Sequence, residues 1–100
     1  MLRITVHDNS SVRTIQLDGR IAGPWVAELD RVWESLAPSM RSKKLCLDLR
    51  GVTFADADGR RLLRDIYQRA NASFLANSPL TQHFADEACG RAAKNGWEGA

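Results

Sequence analysis

The stretch Leu45-Cys-Leu-Asp-Leu-Arg-Gly-Val-Thr-Phe-Ala-Asp-Ala-Asp-Gly59 runs straight into Arg-Arg-Leu-Leu-Arg-Asp-Ile-Tyr-Gln-Arg-Ala70. Its apolar period changes from two residues to the helical repeat across one short connection. Leu45, Leu47 and Leu49 alternate with Lys44, Cys46 and Asp48, as a strand with one apolar face does. Leu62, Leu63, Ile66, Tyr67 and Ala70 then form a helical stripe. A parallel strand covered on both faces is apolar at nearly every position. This strand is not, so its sheet is expected to carry helices mainly on one face.

The rest of the chain repeats the pattern. Leu2, Ile4 and Val6 alternate with Arg3, Thr5 and His7, and Ile15 and Leu17 alternate with Thr14, Gln16 and Asp18. The cluster Asp8-Asn-Ser-Ser11 between them reads as the turn of a hairpin, closed at Gly19 or extended to Ile21 past a bulge. Pro24 suits the first turn of a helix, and Trp25, Val26, Leu29, Val32, Trp33 and Leu36 follow at helical spacing until Pro38. Trp25 and Trp33 lie about two turns apart and are expected to pack inward. Ser39 to Lys43 form a polar connection, and Val52 and Phe54 are placed in the loop after the third strand. Ser73 to Ala76 read as a short fourth strand, and Ser78-Pro79 opens a third helix with Leu80, Phe84 and Ala88 inward. The order is β-β-α-β-α-β-α. The fold class is α/β, a short β-α superhelix with a mixed sheet of about four strands and an N-terminal hairpin. The domain is expected over 1–88, with 89–100 as a tail.

Several function classes have no support in these residues. The net charge is +2, with acids and bases interleaved, whereas nucleic-acid binding needs a basic stripe. No apolar run approaches the roughly 20 residues of a membrane span. No charged-then-apolar leader opens the chain, so a cytoplasmic location is expected. Cys46 and Cys89 form no C-x-x-C pair and are read as reduced, Cys46 as core. No glycine-rich loop precedes a lysine, and His7 and His83 have no companions at metal-ligand or base–nucleophile spacing. No catalytic residue, metal or cofactor is expected.

Leu17-Asp-Gly19, Leu47-Asp-Leu-Arg-Gly-Val-Thr-Phe54, Asp56, Gly59, Leu62-Leu63 and Ser78-Pro79 together resemble the STAS domain family of sulfate transporters and anti-sigma factor antagonists. The likeness covers about residues 1–88. It implies a bacterial, non-enzymatic interaction module. In the family's antagonist members a kinase that is also an anti-sigma factor docks at the strand-to-helix loop. It phosphorylates a Ser or Thr directly after the loop's Asp. Ala57 stands there in this chain, so the resemblance implies a module without the serine switch. Asp58 follows with a permanent charge about half to two-thirds that of a phosphate. On this resemblance the last strand and helix that many relatives carry are not expected here. The chain's C-terminal edge is then exposed, capped by Trp97, or paired with another chain as a homodimer.

The expected partner-binding residues are Phe54, Asp56, Ala57, Asp58, Gly59, Arg60, Arg61 and Arg64, spanning the loop 54–60 and the following helix. Asp56 or Asp58 can equally cap that helix. The partner expected is an anti-sigma factor kinase. In a second version of this reading it is the ATPase of a lipid-transport ABC system, with this chain as accessory subunit. A third reading makes Arg60, Arg61 and Arg64, or the polar sheet face, a site for a small anion or ligand.

Overall fold

A computed structural model describes residues 1–39 and 43–90. The elements are β1 (Leu2–Asp8), β2 (Val12–Ile21), α1 (Pro24–Leu36), β3 (Lys44–Ala55), α2 (Ala57–Ala70), β4 (Ser73–Leu75) and α3 (Pro79–Ala88). A 3-10 turn, Ala37–Ser39, carries Pro38 just past α1. The strands form one sheet in sequential order, β1-β2-β3-β4. β1 and β2 make an antiparallel hairpin, and β2–β3 and β3–β4 pair in parallel. Most of the connection expected at 39–43, and the tail from 91 on with Trp97, lie outside the described residues.

The core lies on one side of this sheet. Ile15 and Leu17 of β2 and Leu47 and Leu49 of β3 are fully buried, with Leu45 nearly so. Leu29 and Trp33 of α1, Leu62, Leu63 and Ile66 of α2, and Phe84, Ala85 and Ala88 of α3 close over them. Each such leucine or isoleucine contributes about 1.5–3 kcal/mol through removal from water. The alternate residues Thr14, Gln16, Lys44 and Cys46 point the other way and stay exposed or half-buried. Cys46 is therefore on the open face and not in the core. Asp48 is the exception on that face, only 6% exposed. The Arg50 side chain folds over it, donating from Nε at 3.0 Å and Nη2 at 2.9 Å.

Three further expectations shift. β3 runs on to Ala55, so Val52 and Phe54 belong to the strand and the loop 54–60 shrinks to Asp56 alone. The cause is the length of β2, which passes through Gly19 and keeps pairing to Arg20↔Phe54 and Ile21↔Ala55 across two register shifts. Gly51 permits this passage, because a Cβ there would overlap Asp18 Oδ1. Leu80 is 44% exposed, and Thr81 takes the inward place at 1%. The inward row of α3 is Thr81, Phe84, Ala85 and Ala88, one residue on from Leu80. Val6, on the edge strand β1, is 40% exposed.

Candidate functional site

The junction of β3 and α2 is built around one carboxylate. Asp56 leaves the sheet in an extended conformation and caps α2, its Oδ1 accepting from the Gly59 amide at 2.8 Å. Its Oδ2 accepts from the Gly23 amide at 3.0 Å, at the start of α1. Its own amide donates to the Ile21 carbonyl at 3.1 Å. One residue, through its carboxylate and its own amide, thus joins the end of β2, the start of α1 and the start of α2. The Gly23 amide first, then the Gly59 amide, hold its carboxyl below the ordinary value of 3.8. Between the two caps first considered, Asp56 is the one that caps, and Asp58 lies in the first turn.

Gly59 is buried against β2. A Cβ there would overlap the Ile21 carbonyl oxygen and lie 2.9 Å from Ile21 Cγ2. The glycine lets the first turn of α2 approach the sheet. It is a packing residue and offers no side chain to a partner.

The other candidate residues separate into two groups. Phe54, Ala57, Asp58, Arg61 and Arg64 are exposed. Arg60 turns inward: its Nη1 donates to the Ala55 carbonyl at 2.8 Å and its Nε lies 3.1 Å from Glu87 Oε1 on α3. Arg61 pairs with Asp58 at 3.1 Å. The three arginines therefore form no shared cradle, which removes geometric support from the anion reading at this place. The nearest hydroxyl before the junction, Thr53, donates to the Gly19 carbonyl at 3.2 Å. His7 lies on the open face, with Nε2 2.9 Å from Gln16 Oε1. Among the described residues no group of His, Cys, Asp and Glu could hold a metal ion.

Two features escape a reading of the sequence. Arg20 stacks on Phe54, its guanidinium carbon 4.4 Å from the ring centroid. This is a cation–π contact that stiffens an exposed aromatic. The pair was legible only to a reader who let both strands run on to 54 and 20. The second is a groove of about 520 Å³ between α1 and α2, which Asp58 and Arg61 share with Asp30, Glu34 and Asp65. Its acids come from two helices far apart in the chain, so no local spacing gathers them.

No family model matches this sequence, and no curated protein matches it. Solved structures do. An anti-sigma factor antagonist from Mycobacterium paratuberculosis superposes with a TM-score of 0.76 at 17% identity, over 94% of this chain and 82% of that one. Mglu superposes with a TM-score of 0.60 at 20% identity, over 75% of this chain and 19% of that longer one. The four-stranded mixed sheet, the N-terminal hairpin and the helices on one face are a STAS-like fold.

Proposed function

We propose that this chain is a regulatory module that acts by binding another protein at the β3–α2 junction and performs no catalysis. The observation that carries the reading is the pinned helix start. Asp56 fixes three segments at once, and Phe54, Ala57 and Asp58 stand exposed around it. A rigid framework presenting an aromatic and a charge loses little freedom when a partner closes on it. The fold likeness to an anti-sigma factor antagonist supports the class of function and suggests an anti-sigma factor kinase as partner. Ala57 offers no acceptor oxygen, so the contact is proposed to work by occupancy, without covalent switching. No described helix is long and apolar enough to cross a membrane.

The test is affinity capture with the wild-type chain, a Phe54→Ala/Asp58→Lys variant and a Gln16→Ala variant on the open sheet face. A partner identified by mass spectrometry and then titrated as pure protein should bind wild type and Gln16→Ala alike. It should bind the junction variant at least tenfold more weakly, as loss of an anchor does. Equal binding by all three would overturn the docking site. If the partner is a kinase, incubation with ATP should leave residues 53–60 unmodified, and Ala57→Ser should accept phosphate. Phosphate on the wild-type junction would refute the claim of a switch-free contact.

A further inference from the structure

The whole chain carries a net charge of +2, yet the groove between α1 and α2 is acidic. Asp30 and Glu34 line it from α1, and Asp58 and Asp65 from α2, against Arg61. Val26, Ala27 and Leu62 supply its apolar surface. We propose that this groove docks a cationic amphipathic helix of the protein partner. The inference rests on the reading of the junction as a partner-docking surface, and it extends that surface along both helices.

Spacing and charge carry it. Asp30 and Glu34 are one helical turn apart on α1, and Asp58 and Asp65 two turns apart on α2, so each helix lines the groove with a row of acids, with Val26, Ala27 and Leu62 among them. Asp30 has no hydrogen-bond or ion-pair partner among the described residues. Asp58 and Arg61 pair with 71% and 75% of their side chains exposed, so water already competes for that pair. Glu34 and Asp65 share a single cation, Arg69. The four acids thus face two arginines and leave charge for a ligand to neutralise. A nucleic acid is repelled by such a groove. A polyamine would neutralise it and leave half-buried Val26 and exposed Ala27 uncovered. A helix with Lys or Arg at three- and four-residue spacing, and leucines between, meets the acids and covers the apolar surface together.

The probe is a labelled Lys/Leu amphipathic helical peptide of about five turns. Its controls are a Glu/Leu counterpart and a Lys/Leu peptide of scrambled order. The Lys/Leu helix should bind by fluorescence anisotropy and weaken as salt rises. Its amide shifts in NMR spectra should fall on residues 23–34 and 58–65. Asp30→Asn breaks no internal pair, and it should weaken binding several-fold. Asp30→Asn/Asp65→Asn should weaken it roughly tenfold or more, as loss of charge partners does. Asp86→Asn on α3 should bind as wild type. Equal binding of the scrambled peptide, full displacement by spermidine, or shifts on the open sheet face would each overturn the proposal. A natural partner lost from Phe54→Ala/Asp58→Lys but unaffected by Asp30→Asn would sink the groove and leave the junction reading standing. A partner indifferent to both would sink the two together.

Discussion

Asp56 does three jobs with two oxygens and one amide. Asn has one side-chain acceptor oxygen where the carboxylate has two, so Asp56→Asn keeps one of the bonds to Gly23 and Gly59 and loses the other. The carboxyl is held below 3.8 in the folded chain, chiefly by the Gly23 amide. A lowered folded value means that the charged form supports folding. That support is complete above the ordinary carboxylate range and is lost as pH falls through the lowered value. Asp56→Asn should therefore unfold more readily than wild type at neutral pH, and the gap should close below about pH 3.8. Urea titrations monitored by circular dichroism at both pH values check this, and a gap that widened in acid would contradict it. Gly59 makes a second prediction at the same scale. Adding one methyl against the Ile21 carbonyl forces the start of α2 off the sheet. Gly59→Ala should cost about 1–3 kcal/mol, the usual range for overpacking, in the same titration.

Elements show where the residues speak plainly and where they do not. Alternation in β1, β2 and β3, and the helical stripes of α1 and α2, follow from burial on one face, and burial is written in residue type. The capping role of Asp56 was legible as one of two acids, and only the paired amides of Gly23 and Gly59 decide between them. The end of β3 was not legible. Past Leu49 the alternation breaks at Gly51, and the strand continues because β2 supplies partners up to Ile21. Pairing between distant segments overrides the local pattern there. The inward turn of Arg60 was not legible for a related reason, since its partners Ala55 and Glu87 lie on other elements. The start of α3 shows the same limit. Leucine is the more apolar residue, yet Thr81 is the one turned inward, because Ser78 caps the helix and sets its rotation. Thr81 Oγ1 accepts from the Asn77 and Ser78 amides at 3.0 and 3.1 Å, which dissolves the cost of burying a hydroxyl. Thr81→Val strands those amides and should cost about 1–3 kcal/mol. Leu80→Lys, at an exposed position, should stay within about 0.5 kcal/mol of wild type. Thermal melts of the two variants separate these roles, and a larger loss from Leu80→Lys would reverse the assignment.

At the scale of the molecule, the sheet divides a dry side from a wet one, and the candidate surfaces gather on the dry side's helices. The hairpin end is tied by charge: Arg13, then Lys43, bring the Asp8 carboxyl down to about 2. The opposite end is tied by the Asp56 cap, and between them β2 and β3 hold the centre. A one-sided core makes neighbouring residues of one strand unequal in a way that a doubly covered sheet would not. Leu47 is fully buried beneath the helices, and Cys46, next to it, faces away and is half-buried. Leu47→Ala removes a side chain that the helices cannot follow inward. It should cost about 2–5 kcal/mol, a large share of the roughly 5–15 kcal/mol that holds a domain folded. Cys46→Ala removes one sulfur from the open face and should cost under about 1 kcal/mol. Urea unfolding of both variants decides the matter. Equal losses would mean that the open face is covered as well, and would contradict the one-sided core.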